Sequence, residues 1–348
     1  MQYSIGSPPP YVIAIGTSAG GMPALVSLLE QLPGSLPAAV LVVQHLAPDS
    51  SAEHLADRLG RHTTLLCAVA RHNDPVRPGR LYLAPPDRHL LVKDGHVLVT
   101  KGPHENHYRP AVDALLRSAA VNYGPRAIGV VLTGMLHDGT AGLEFIKRCG
   151  GTAVVQDPAD AEYASMPESA LRNVPVDYVV PIAAMGALLA RLVAAPLPPG
   201  TPPPGEPPAA AAVPPDLQTE AAIAERVVGN TPEAAVLGTP VPLTCPDCGG
   251  SLWRLHHGDV LRFRCHTGHA FTADTLLAEQ QNALEGTLWV ALRMMEERKN
   301  LLASMATRGG GPLSLTQEER IDEMKLHINR LREFLLNGAA GGGADEHQ

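Results

Sequence analysis

Ser18 stands in the turn Gly16-Thr17-Ser18-Ala19-Gly20-Gly21, directly after the apolar run YVIAI and directly before MPALVSLLEQL. A serine among glycines between a strand and a helix suits either nucleophilic attack or the cradling of a phosphate. His45 follows VLVVQ and Asp138 follows AIGVVLTGMLH, so each lies beyond an apolar run of strand length. A hydroxyl, an imidazole and a carboxylate are the three groups of a hydrolase triad. The imidazole takes the serine proton, while the carboxylate fixes the imidazole tautomer and stabilises the imidazolium. Ala19 N–H, at the start of the following helix, is the natural first donor to a developing oxyanion, and a glycine-flanked turn near Met135 offers a second.

Two rival readings of the turn fit less well. A dinucleotide site wants Gly-x-Gly-x-x-Gly and an acid about 20 residues on. Here Ser18 takes the place of the second glycine, and the second apolar run ends in Gln44-His45. Gly16-x-Ser18-x-Gly20 matches the nucleophile elbow literally, but the α/β-hydrolases order their triad serine, acid, histidine and place strands before the elbow.

A second cluster lies far along the chain. Cys245-x2-Cys248, sixteen residues, then Cys265-x3-His269 is a spacing that suits a tetrahedral zinc site of three thiolates and one imidazole. Cys245, Cys248 and Cys265 are the firm ligands and His269 the fourth, with His266 next and His256 and His257 as weaker candidates. Four protein ligands close the coordination sphere, so the expected zinc is structural and the catalysis itself needs no cofactor.

The triad candidates must be gathered by the elements between them. Strands are expected at 11–15, 38–44, 64–70, 79–86, 127–134 and over TAVVQ and DYVV, with HLLVKDG and HVLVT as a hairpin across Asp94-Gly95. Helical segments alternate with them, which predicts an α/β, doubly wound, mostly parallel sheet with its ligand crevice at the carboxyl ends of the strands. The expected organisation is a catalytic domain over 10–194, a Pro/Ala-rich linker over 195–240 and a small Cys-rich, zinc-ribbon-like module over 241–271. A helical hairpin or coiled coil over 272–337 and a disordered tail over 338–348 complete it.

Composition narrows the class. A formal charge of −8 argues against nucleic-acid binding, and 45% hydrophobic residues supply a sizeable core. The N-terminus has no signal-peptide pattern, and the apolar stretch 178–190 is too short for a membrane span, holds Pro181 and ends at Arg191. Five cysteines, three of them clustered, read as cytoplasmic thiols plus a metal site.

The chain resembles the catalytic domain of the chemotaxis protein-glutamate methylesterases (CheB-type) over roughly residues 10–192. The resemblance rests on IGTSAGGMPAL, VLVVQHLAP, PGRLYLAPPDRHLLV, YRPAVDALLRSAA, GVVLTGMLHDGTAGL, VVQDP and SMPESAL, in that order. It implies Ser18 as nucleophile, His45 as base, Asp138 as orienting acid, and the N–H groups of Ala19 and Met135 as the oxyanion hole. The implied reaction is hydrolysis of glutamyl methyl esters on methyl-accepting chemoreceptors, with deamidation of receptor glutamines as a second activity. Arg109, in Tyr108-Arg109-Pro110, has a substrate-orienting role or makes a plain structural salt bridge. The family's usual Thr after the serine is replaced by Ala19, and its usual Gly after the methionine by Leu136. Only ten residues precede the first strand, so no N-terminal receiver domain is expected. Control is then expected from a separate receiver protein, from the C-terminal module, or not at all, with a methyltransferase as a further partner. A different class, a catalytically silent signalling scaffold binding receptor or methyltransferase, and a small-molecule esterase are the alternatives.

Overall fold

The structure, a computed structural model, describes residues 9–338 apart from 198–199, 204–205, 207, 210–212, 227–228 and 309–314. From residue 339 on, the expected tail lies outside the described residues. The chain forms two compact units, Met1–Leu276 and Leu277–Gln348.

In the first unit, strands β1 (Tyr11–Thr17) and β2 (Ala38–Gln44) are separated by helix α1 (Gly21–Leu29), and helix α2 (Ala52–Gly60) leads to β3 (Leu66–Val69) and β4 (Arg80–Leu83). The hairpin β5 (His89–Lys93) and β6 (His96–Thr100) precedes α3 (Val112–Tyr123) and β7 (Ala127–Val131). The order continues with α4 (Thr140–Arg148), β8 (Thr152–Gln156), α5 (Ser165–Asn173), β9 (Tyr178–Val180) and α6 (Ile182–Ala194). Seven strands form one sheet in the order β3-β4-β2-β1-β7-β8-β9, every pairing parallel. Every residue of β1 and β2 is buried, as expected of strands covered on both faces. Alternate residues of β1 serve opposite faces. Val12 and Ala14 pack with Leu115, Leu143 and Met166, whereas Ile13 and Ile15 pack with Leu25, Leu59 and Leu189. The β5–β6 turn falls at Asp94 and Gly95, both with positive φ, the pattern that a tight two-residue hairpin turn demands.

The structure departs from the sequence-based expectation at two places. The stretch after Pro181, weighed above only as a membrane candidate, is the amphipathic helix α6, with Met185, Leu188, Leu189 and Val193 buried. The expected linker over 195–240 also folds in its second half, as helices α7 (Pro215–Arg226) and α8 (Thr231–Leu237). Leu217, Ala221 and Ala224 recur at helical spacing and are buried, and Pro215 sits at the helix start, where its missing N–H costs nothing. Among the described residues, no helix is long and apolar enough to cross a membrane.

Strands β10 (Gly238–Thr244), β11 (Ser251–Leu255), β12 (Arg262–Cys265) and β13 (Ala270–Thr272) form an antiparallel ribbon within the same unit as the large sheet. A buried ion network fastens it there. Glu220 of α7 accepts from Arg262 at 2.9 and 3.0 Å and from Arg264 at 3.1 Å, while Glu105 accepts from Arg117 at 2.5 and 3.0 Å. Burial alone would raise the Glu220 carboxyl, but the guanidiniums of Arg262, Arg264 and Arg117 overcome it and hold the group at about 2. The folded value lies below the unfolded one, so this stabilisation is present above the ordinary carboxylate range and disappears as pH falls toward 2. Glu220→Ala, which strands two buried guanidiniums, is expected to cost about 3–5 kcal/mol at neutral pH. Urea unfolding of both proteins across an acid pH series checks this, because the difference must shrink as Glu220 protonates.

In the second unit, helix α9 (Ala273–Arg308), from Leu277 on, accompanies α10 (Leu315–Gly338). Leu292, Ile321 and Ile328 are buried, and Arg332 reaches Glu296 at 2.8 Å.

Candidate active site

The parallel register delivers the candidate groups to one edge. Thr17 pairs with Gln44 at the ends of β1 and β2, so Ser18 and His45 are the next residues on adjacent strands, which lie about 4.8 Å apart. The chain holds them there: His45 N donates to Thr17 O at 3.1 Å, Gln44 Nε2 to Ser18 O at 2.8 Å, and Ser18 N to Thr133 O at 3.1 Å. Thr133 follows β7, the neighbour of β1 on the side away from β2, so the sheet's order reverses at this point.

His45 and Asp138 meet directly, Nε2 to Oδ2 at 2.8 Å, and both side chains are almost wholly buried. A carboxylate only accepts, so the proton rests on Nε2 and Nδ1 carries the free lone pair. That Nδ1 is buried and has no hydrogen-bond partner among the described residues, Ser18 Oγ included. The Tyr108 ring stacks on the imidazole with centroids 3.6 Å apart, fixing its plane. Asp138 is held by a dense set of donors. Oδ2 also accepts from Val112 N at 2.6 Å, and Oδ1 accepts from Asp113 N, Gly139 N and Asn106 Nδ2 at 3.1, 3.1 and 3.2 Å.

Two of those neighbours escaped the sequence reading. Asp113 is buried in α3 and accepts from Gly139 N, Gly142 N and Asn106 Nδ2. Burial, and then the charge of Asp138 beside it, push its carboxyl up to about 8. An acid in the otherwise apolar AVDALL was a signal that could have been followed. Asn106 carried none, because its role depends on a contact with the distant ribbon.

Of the proposed oxyanion donors, Ala19 directly follows the serine and Met135 lies two residues beyond Thr133, whose carbonyl accepts from Ser18 N. Neither Ala19 N–H nor Met135 N–H donates to a protein acceptor among the described residues. Leu136 takes φ +67°, the left-handed region that favours glycine, which gives a physical reason why glycine would suit this position. Gly134 packs so tightly that an added Cβ would lie 2.9 Å from Ser18 Cβ and 2.1 Å from Met166 Sδ. Gly134→Ala must therefore displace the serine or the buried methionine. It is expected to lower kcat by about 10- to 100-fold while the fold persists, as read by steady-state rates beside circular dichroism.

A cavity of about 420 Å³ opens on His45, lined by Asp87, His104, His107, Tyr108 and Arg109 among others. Arg109 is engaged there, with Nε and Nη2 donating to Asp87 Oδ1 and Nη1 to Gly102 O. It thus makes the salt bridge that one of its two readings required, and lines the cavity as one half of that pair.

The cysteine cluster also assembles. Sγ of Cys245, Cys248 and Cys265 and a ring nitrogen of His269 all lie within 4.8 Å of one another. His266, His256 and His257 lie outside this group.

The comparisons with known proteins agree with the fold of the large sheet. The family model described as CheB methylesterase matches residues 13–189. The chain is 39% identical over 184 residues to the protein-glutamate methylesterase FrzG of Myxococcus xanthus, covering 52% of this chain and 55% of that protein. It is also 39% identical over 185 residues to a putative protein-glutamate methylesterase/protein-glutamine glutaminase of Leptospira interrogans, covering 52% of this chain and 93% of that one. The chain thus spans only about half the length of FrzG. The crystal structure of the Thermotoga maritima CheB methylesterase catalytic domain is similar at a TM-score of 0.50 and 36% identity, covering 52% of this chain and 98% of that one. A matched segment that contains the parallel sheet, its crevice and all three groups at the strand ends leaves one assignment: the chain belongs to the CheB methylesterase family.

Proposed function

We propose that the chain is a protein-glutamate methylesterase acting on methylated chemoreceptors, with deamidation of glutamine side chains as a second activity. The observation that carries this reading is the buried His45–Asp138 pair, whose imidazole keeps an Nδ1 without a partner among the described residues; His45, like Ser18, lies one step beyond the last paired residues of β1 and β2. Ser18 Oγ attacks the γ-carbonyl of the side chain and its proton passes to His45 Nδ1. Asp138, accepting from Nε2–H, stabilises the imidazolium. The oxyanion takes hydrogen bonds from Ala19 and Met135 N–H. Collapse breaks the ester C–O bond, and His45 returns its proton to the departing oxygen, releasing methanol. A glutamine substrate releases ammonia by the same route. Water, activated by His45, then cleaves the acyl-serine to leave glutamate and free Ser18. Ester and amide share one acyl-serine, so one site serves both. In such triads the serine–imidazole hydrogen bond is often long in the free enzyme and tightens in the substrate complex.

Arg109, braced by Asp87, shapes the mouth of the cavity. Met135 and Leu136, in the turn after Gly134, are exposed and would meet an incoming helix or loop. The test is methanol release from a methylated receptor, with intact-mass analysis of the receptor for loss of methyl groups. Release with the receptor but not with small methyl esters supports a protein substrate. Equal turnover of small esters would move the reading to a small-molecule esterase.

A further inference from the structure

The segment 104–108 touches both partners of the buried pair, and the ribbon holds that segment. Asn106 N donates to Ala270 O at 2.8 Å, Ala270 N to His104 O at 3.3 Å, and Thr272 N to Asn106 Oδ1 at 2.9 Å. The last bond fixes the amide orientation. With Oδ1 turned to Thr272, Nδ2 must face the carboxylates, and it donates to Asp113 at 2.7 Å and Asp138 at 3.2 Å. One amide group thus sits between two buried acids that would otherwise repel each other. Asn106 and His107 both take positive φ, a backbone that non-glycine residues hold only when their surroundings impose it. Tyr108, next in the chain, stacks on His45.

The cysteine cluster lies at the base of this contact. Cys265 directly follows Arg264, whose guanidinium reaches Glu105 at 3.5 Å, and His269 directly precedes Ala270. Two members of the cluster are therefore chain neighbours of two residues that anchor segment 104–108. The ribbon's own core is small, with Cys245, Leu252, Phe263, Cys265, Phe271 and Leu276 buried in it. Two of those six are cysteines of the cluster, so apolar packing contributes little toward holding it.

The donor set fits a tetrahedral ion. Zn–S bonds of about 2.3 Å and Zn–N bonds of about 2.0 Å imply ligand–ligand edges of roughly 3.5–3.8 Å. Cys248 Sγ and Cys265 Sγ are 3.9 Å apart, and His269 Nδ1 lies 3.4 Å from Cys265 Sγ and 3.7 Å from Cys245 Sγ. With Nδ1 turned to the thiolates, His269 Nε2 lies 3.7 Å from Asp247 Oδ2, an outer carboxylate of the kind that orients a ligating imidazole.

We propose that Cys245, Cys248, Cys265 and His269 hold a structural Zn²⁺, and that the ribbon it closes acts on the reaction through Asn106, a positioning residue for Asp138. The second half of this inference rests on the triad assigned above. Loss of the metal loosens the β12–β13 turn, Asn106 leaves the two acids, and the carboxylate–imidazole pair loses its alignment with the serine.

The test uses the full-length chain and two readouts besides ester turnover: metal content, and the rate at which a fluorophosphonate probe labels Ser18. The wild type is expected to carry one zinc per chain, and Co²⁺ put in its place is expected to show tetrahedral thiolate absorption. Cys245→Ser/Cys248→Ser should lose the metal, and both it and Asn106→Ala should slow labelling by about 10- to 100-fold. For Asn106→Ala, kcat should fall while KM stays within about twofold, and the combined variant should be no slower than the slower parent. Where the metal-free variant unfolds, Asn106→Ala alone decides, since it leaves the four ligands in place. A wild type without stoichiometric metal, or a folded, metal-loaded Asn106→Ala that labels at the wild-type rate, overturns the proposal. Labelling needs no receptor, so a failure of the substrate assignment is seen separately, in methanol release.

Discussion

Ser18→Ala is expected to reduce kcat for methyl-ester hydrolysis by about 10⁶-fold, the effect of removing the nucleophile from a serine hydrolase triad. The hydroxyls of Thr17 and Thr133, which lie beside the serine, are engaged elsewhere. Thr17 precedes the serine, but its side chain is buried and Oγ1 donates to Thr133 O at 2.8 Å. Thr133 follows β7 with its own hydroxyl donating to Ala19 O at 3.1 Å. The alanine leaves the oxyanion donors and the cavity intact, so the residual rate should still exceed that of water by about 10³- to 10⁴-fold. Three measurements separate chemistry from folding. Methanol release should vanish into that residual, and the fluorophosphonate adduct seen by mass in the wild type should be absent. An unchanged urea midpoint would show that the fold is untouched. A variant within tenfold of the wild-type rate would remove the serine from the reaction.

The amount of this arrangement readable from sequence depended on how local each signal was. β1 and β2 are continuous apolar runs because parallel strands between two helical layers are buried on both faces, and such runs stand out in a sequence. Ser18 and His45 were visible for the same reason, since each directly follows such a run. Asp138 is legible in the same way but less directly, because it lies seven residues beyond the end of β7. The second half of the expected linker was misjudged because it directly continues a stretch dominated by prolines and alanines, whereas the helix α7 is specified by three small or apolar residues and by Glu220, whose guanidinium partners lie elsewhere. Asn106 could not be seen at all. Its three side-chain bonds go to Asp113, Asp138 and Thr272, and the last of these is 166 residues away. Long-range polar contacts leave no periodicity in the chain, so they are the part of a site that sequence reading misses.

Asp138→Asn should cost about 10⁴-fold in kcat and, unlike Ser18→Ala, should also destabilise the fold. The reason lies in the polarity of the groups that surround the carboxylate. Oδ2 accepts from His45 Nε2 and Val112 N, and Oδ1 from Asp113 N, Gly139 N and Asn106 Nδ2, so every neighbour is a donor. An asparagine has one acceptor oxygen and must turn its NH₂ toward one of these sets. Turned toward His45, it faces Val112 N at donor-to-donor distance and forces Nε2 to accept, which moves the imidazole proton to Nδ1. That tautomer has no lone pair for the Ser18 proton, and general-base catalysis stops. Turned the other way, it keeps the useful tautomer but strands three buried donors, each at about 1–3 kcal/mol. The second orientation leaves more groups unsatisfied, so the first should prevail, with its loss of rate and the cost of the single orphaned Val112 N–H. Proton resonances of the His45 ring identify the tautomer, and urea unfolding reads the stability. An active Asp138→Asn enzyme with Nε2 still protonated would show that the carboxylate charge, rather than its acceptor geometry, is dispensable.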